Sequence, residues 1–167
     1  MSAAQLTAPH SFLSTLVTAP SYYYKGKTMT QNNKPAAHTS HGEITLDQLG
    51  GMQPGLARLM AEISDRYWIL YYAAKAENWK MAALQSSEIK KAFRIGEITR
   101  PKYLDHLEAF INGPMSKMDQ AIESKNWKDF QDAYMIGVKA ANSYHVSWNH
   151  EEIIWQLPDE PPKHLKL

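Results

Sequence analysis

The chain contains no cysteine, and that absence removes disulfides, zinc ribbons, thiol nucleophiles and thioether-bound haem from consideration. Long apolar runs are missing as well. Nothing approaches the roughly twenty residues needed to span a bilayer. The short stretch Ser11–Val17 has no preceding Lys or Arg and is too interrupted for the core of a secretion signal. A cytoplasmic location is therefore expected, with no membrane partner. Neither sign of charge dominates: 18 Lys and Arg against 17 Asp and Glu give a formal +1, without a basic run, which argues against nucleic acid as a partner. There is no His-Glu-x-x-His, no Gly-rich phosphate loop and no Gly-x-Ser-x-Gly. The Glu-x-x-His pairs of a ferritin-like di-iron site are also absent, so no metal site is expected. Strand signals are sparse.

What the sequence does have is helical periodicity. Between Asn126 and Ile154, the residues Phe130, Tyr134, Gly137, Ala141, His145 and Trp148 recur at steps of four, three, four, four and three, which places them on one side of a helix. His145 is thereby predicted to face inward. A buried imidazole needs a hydrogen-bond partner, a metal or a ligand, because leaving it unpaired costs about 1–3 kcal/mol. The commoner outcome is a core histidine satisfied by a neighbouring helix; a ligand contact is the alternative. Gly137 in mid-helix points to close approach of another helix or of a ligand.

Three earlier segments carry the same pattern. From Pro54 to about Ala76, Leu56, Leu59, Met60, Ile63, Tyr67, Leu70, Tyr71 and Ala74 make a core stripe. Trp68, Ile69 and Tyr72 lie outside it and imply a subunit contact or a large pocket. Asn78 is placed to cap a helix from Trp79 to about Ile95, with Ala82, Ser86, Ile89 and Phe93 inward, Glu88 at the stripe edge, and Gly96 and Pro101 ending it. Pro101 opens a third segment with Tyr103, Leu104, Leu107, Phe110 and Ile111 inward. Asn112-Gly113-Pro114 breaks or kinks that segment, and Met115, Met118, Ala121 and Ile122 continue it to Glu123.

Asn-Trp-Lys occurs at both 78–80 and 126–128, 48 residues apart, each time at a helix start. Two helical hairpins with short links predict an all-α antiparallel four-helix bundle over 47–157. Residues 1–46 read as an irregular N-terminal arm holding Tyr22-Tyr23-Tyr24, an alternative start at Met29, and the weak chelating pair His38 and His41. Residues 158–167 read as an extended C-terminal tail.

The run Arg66–Ala83, with Tyr71, Asn78-Trp79 and then Glu88-Ile89, resembles a group of bacterial four-helix-bundle proteins related to cytochrome c′. Their pattern of Ala, Asn-Trp, an Ala-rich helix and Glu is followed by a terminal helix with Ala-Tyr and then Cys-Asn-x-Cys-His. The matching residues here are Ala133-Tyr134 and Ala141-Asn142-Ser143-Tyr144-His145. The resemblance covers about residues 52 to 158. It implies a cytochrome c′-like bundle, a homodimer and a pocket at the end of the last helix. In that group the two cysteines attach haem and the histidine is its axial ligand; here Ala141 and Tyr144 replace the cysteines while His145 remains. The haem-attachment motif is lost.

Three functions follow as expectations. The first is a bundle descended from a cytochrome-like fold that binds an aromatic molecule or non-covalent haem, with Tyr67, Tyr71, Trp79, Tyr134, Ala141, Asn142, His145 and Trp148 around the ligand. The second is a cofactor-independent enzyme with His145 as general acid or base and Tyr144, Tyr67 or Glu88 as partner. The third is a dimeric interaction protein with a self-filled core.

Overall fold

A computed structural model describes residues 35–167. Tyr22-Tyr23-Tyr24 and Met29 lie outside the described residues. The chain divides into two units at the Thr45–Leu46 boundary.

In the first unit the described residues form an antiparallel hairpin of β1 (Pro35–Thr39) and β2 (Gly42–Thr45), where an irregular arm is predicted. Thr39 pairs with Gly42, and the Thr39 hydroxyl donates to the Gly42 carbonyl at 2.8 Å. Gly42 has φ +133°, a conformation only glycine adopts without strain. His38 faces Glu43 across the hairpin at 3.2 Å, so its nearest partner is a carboxylate rather than His41.

The second unit is mainly helical. A short α1 (Leu46–Gly51) precedes α2 (Leu56–Lys75) and α3 (Trp79–Thr99), which pack along their lengths. A tight turn at Pro101–Tyr103 leads into α4 (Leu104–Phe110), a wide-turn segment Ile111–Met115, and α5 (Ser116–Glu123). The last helix is α6 (Trp127–Ser147). Among the described residues no helix is long and apolar enough to cross a membrane.

Pro114 explains the wide turn. It lacks an amide hydrogen and would clash with the carbonyl four residues back, and a π-type turn absorbs the misfit while keeping the chain helical. Of the two outcomes predicted at 112–114, a break or a kink, the chain shows no break: the segment runs on as a distorted helix. Along α4, Leu104 is exposed, because Tyr103, Leu107 and Phe110 define the inward row and Leu104 lies off it.

The repeated Asn-Trp-Lys segment has a common physical cause. Glu77 and Lys125 both take positive φ, 59° and 53°. The following Asn78 and Asn126 amides donate back to Ala73 and Ala121 carbonyls at 2.8 and 2.9 Å, closing Schellman caps on the preceding helices. The same asparagines then accept from Met81 and Asp129 amides at 3.1 Å each, capping the helices that follow. One residue ends a helix and starts the next.

Gly96 does not end α3. It is buried within it, and a Cβ there would lie 3.2 Å from Leu107 and 3.4 Å from Leu56, so its role is to let α2 and α4 approach. Ser86, the polar residue in the α3 stripe, is buried and donates to Asp119, which also receives Lys90. The core itself centres on Ile63, Tyr67, Leu70, Ile89, Met115, Met118, Phe130 and Tyr134.

The second apolar face of α2 is covered by the chain's own C-terminal segment. Trp68 Nε1 donates to the Glu160 carbonyl at 2.7 Å and the Tyr72 hydroxyl to the Pro158 carbonyl at 2.7 Å. Pro162 is fully buried and Leu167 packs on the core. The predicted extended tail is therefore a strap, and the face expected to make a subunit contact is occupied within the same chain.

Candidate functional site: a cavity at the end of the last helix

The last helix is shorter than predicted, and its ending builds the site. Asn149 takes φ +56°, the Asn149 amide donates to Val146 and the His150 amide to His145 at 2.9 Å, a third Schellman cap that stops α6 at Ser147. The residues after Ser147 consequently leave the line of the helix. Instead the chain reverses and returns Ile153 and Trp155 to the helix. Asn142 fixes that return with two bonds to Trp155: its Nδ2 donates to the carbonyl at 2.9 Å and its Oδ1 accepts from the amide at 2.7 Å.

Between this return, the end of α6, the first half of α2, α3 and the α3–α4 corner lies a cavity of about 630 Å³, inside the range of roughly 300–1,000 Å³ usual for small-molecule sites. Leu56, Met60, Phe93, Leu107, Phe110 and Ala141 supply apolar wall, and Tyr103, Tyr144, Trp148 and Trp155 supply aromatic wall. The polar side chains are Ser64, His106, His145, His150, Arg100 and Lys102; no carboxylate lines the cavity.

Two of the histidines are fixed in opposite senses. His145, half-buried, has Nδ1 at 2.9 Å from the Ile153 carbonyl. A carbonyl only accepts, so Nδ1 carries the hydrogen and the neutral ring keeps a lone pair at Nε2. This is the backbone contact that orients metal-ligating histidines. His106 has the reverse arrangement, because Trp148 Nε1 donates to its Nδ1 at 2.7 Å and Nε2 must hold the hydrogen. The His106 ring stacks on Tyr144 at 4.6 Å and 20°, and meets Trp148 edge-on at 5.8 Å. His145 and His106 thus offer opposite tautomers, an acceptor at one Nε2 and a donor at the other, while the third histidine, His150, has Nδ1 at 3.0 Å from the Glu152 carboxylate.

No protein-family model, curated protein or solved structure matches the chain. The likeness to the cytochrome c′-related group rests on the quoted residues alone.

Of the residues predicted around the ligand, the structure gathers Ala141, His145 and Trp148 at this cavity, and Tyr144, predicted as a catalytic partner of His145, lines it too. Asn142 stands behind it, holding Trp155. The other aromatics are elsewhere. Tyr67 and Tyr134 lie in the core with ring centroids 4.4 Å apart, and Tyr71 packs on Tyr134 at 4.8 Å. Burial, reinforced by neighbouring phenols, raises the hydroxyl pKa of both Tyr67 and Tyr134 well above the ordinary value of 10.0. The Tyr67 hydroxyl donates to the Tyr134 carbonyl at 3.2 Å. Trp79 packs edge-on against Phe130 at 6.4 Å, at the Asn78 turn. Tyr67 and Tyr134 do edge a smaller pocket of about 230 Å³, which shares Trp155 with the large one. Glu88 does not join His145: it pairs with Lys91 at 2.7 Å, and that hydrogen bond lowers its carboxyl pKa.

His106, His150, Arg100, Lys102 and Trp155 are among the site residues that the sequence reading missed. His106 was legible, since it stands three after Tyr103 and four before Phe110 on the α4 stripe. Trp155 was not, because its position depends on the reversal at Asn149.

Proposed function

We propose that this chain is a cytoplasmic small-molecule-binding four-helix bundle of the cytochrome c′ kind, which seats a ring-bearing apolar ligand in the 630 Å³ cavity beside His145. The observation that carries the reading is the His145 Nδ1 contact to the Ile153 carbonyl, which commits the hydrogen to one nitrogen and leaves Nε2 as an acceptor or ligand in a cavity lined mainly by apolar and aromatic side chains. Loss of the attachment cysteines leaves a pocket that is largely apolar and aromatic, the setting in which buried area holds a ligand and a few polar groups orient it.

Haem held without covalent bonds is the first ligand to test. His145 would supply a nitrogen ligand to the iron, and residues such as Met60, Phe110 and Tyr144 would supply the walls. Bound haem would bring redox or gas-binding chemistry. Titration of the purified protein with haemin is expected to give a Soret band that disappears in His145→Ala. If haemin gives no band, a panel of aromatic compounds should raise the melting temperature of the wild type and not of Ala141→Phe, which fills the cavity. No response to any compound, or equal responses in the variants, refutes the reading.

The second reading is catalytic. It is favoured by the paired tautomers of His145 and His106, an acceptor and a donor on one cavity. In that case His106 replaces Glu88 as the partner of His145, and Tyr144 holds the His106 ring by stacking. A homodimer retains the support of the resemblance only, since Trp68 and Tyr72 are engaged by the C-terminal strap.

A further inference from the structure

The cavity has cations at one corner and no acid to balance them. Arg100 and Lys102 both line it, on the short connection between α3 and α4, while no Asp or Glu does. Neither makes an ion pair among the described residues, in contrast to Arg66, Lys90, Lys91 and Arg94 of the flanking helices, each held by a carboxylate. Arg100 is half-buried and tethered by one guanidinium nitrogen to the Thr99 carbonyl at 2.5 Å, which leaves most of its five donors uncommitted. Lys102 is held over aromatic faces that are themselves cavity wall, its ammonium 4.6 Å from the Tyr103 ring centre and 5.5 Å from that of Trp148. A half-buried guanidinium without a counter-charge is an unusual resting state, and a planar guanidinium beside an ammonium is suited to gripping a carboxylate.

We infer that the ligand is a carboxylic acid with an apolar body, its carboxylate between Arg100 and Lys102 and its body along Met60, Leu107 and Phe110 toward His145. This rests on the small-molecule-binding reading above and adds to it the charge of the ligand. It also orients the ligand: the anionic head lies at the α3–α4 corner and the apolar part lies at the imidazoles. The shared chemistry is the carboxylate; a fatty acid and an aromatic acid are two bodies that carry it.

The test compares each acid with its own uncharged amide, so that body shape cancels. Calorimetric titrations of the full chain at mildly alkaline pH would use dodecanoate and dodecanamide, and 2-naphthoate and 2-naphthamide. Wild type is expected to prefer the acid of at least one pair by about tenfold or more, the scale of one charge-assisted contact. In Arg100→Gln/Lys102→Gln, with the helical circular dichroism checked, the acid-to-amide ratio should fall close to one. Amides that bind as well as their acids, or a preference that survives in the double variant, overturn the carboxylate assignment and leave the binding reading standing. Failure of all four compounds on wild type overturns the carboxylate assignment, and the binding reading falls with it only if haemin and the aromatic panel fail as well.

Discussion

Replacing Gly137 by alanine should destabilise this protein, although the same change in a free helix surface would stabilise it. The conflict is geometric. A Cβ built on Gly137 would lie 2.0 Å from the Tyr67 hydroxyl oxygen, 3.3 Å from the ring carbon that bears it and 3.5 Å from Phe110. Tyr67 has little room to retreat, since it is 2 % exposed and packed against Tyr134 and Trp155. Alanine gains about 1 kcal/mol in helix propensity. Against that stand about 1–3 kcal/mol for overpacking and about 1 kcal/mol for the bond from Tyr67 to the Tyr134 carbonyl, which the displaced ring loses. The net expectation for Gly137→Ala is a loss of about 1–3 kcal/mol. Tyr67→Phe alone should cost about 1 kcal/mol. The double variant should be no worse than Tyr67→Phe, because the oxygen at 2.0 Å is gone and the remaining 3.3 Å contact needs only a few tenths of an ångström of adjustment. Urea unfolding of all four proteins, followed by circular dichroism, closes the cycle and should return a coupling above about 1 kcal/mol. A neutral or stabilising Gly137→Ala, or strict additivity with Tyr67→Phe, would refute the packing argument.

Three further outcomes are expected. Asn142→Ala removes both bonds to the Trp155 backbone, at 2.9 and 2.7 Å, and should lower local stability of the returning segment by about 2 kcal/mol. Hydrogen exchange should quicken over residues 153–157 more than in α3, and unchanged protection there would count against the staple. Deleting residues 158–167 uncovers Trp68 and Tyr72, so the shortened chain should melt lower and sediment with stronger concentration dependence than the full chain; matching melts and sedimentation would show that the strap covers nothing of consequence. In alkali, burial keeps Tyr67 and Tyr134 protonated in the folded state past the ordinary phenol value of 10.0. The unfolded chain ionises there first and holds fewer protons, so stability should be level below that pH and fall as pH rises above it. Ultraviolet titration should show two of the nine tyrosines ionising only with loss of helical signal; smooth ionisation of all nine with the helices intact would be the contrary result.

How much of this could be read beforehand depends on how local the cause is. The stripes of α2, α3 and α6 were legible because Ile63, Tyr67, Ile89, Phe130 and Tyr134 sit at helical spacings and are buried in the structure as those spacings require. The asparagine caps were legible for the same reason, being decided within four residues. Errors came where one local signal has two outcomes. Gly96 reads as a stop, yet the leucines of α2 and α4 close on it within a continuous helix. The hairpin at 35–45 was invisible to apolar alternation, because its described side chains are mostly exposed and its turn is fixed by Gly42 and Thr39.

The site was half legible, and the division follows chain connectivity. Ala141, Tyr144, His145 and Trp148 belong to one helix and one period, so sequence spacing brings them together. Tyr67, Tyr71 and Tyr134 share that inward direction without sharing the site: they lie nearer the middle of the packed helices, where facing side chains fill the space, and their rings meet each other. A cavity forms at the end of α6 because Ala141 is small and the backbone reverses at Asn149, which sends Ile153 and Trp155 across the opening instead of adding another helical turn. That reversal also supplies the Ile153 carbonyl that fixes His145. The residue that orients the imidazole therefore lies beyond the helix, eight positions on, and no periodicity could have named it. The early stop of α6 thus accounts for both the space beside His145 and the tautomer His145 presents to it.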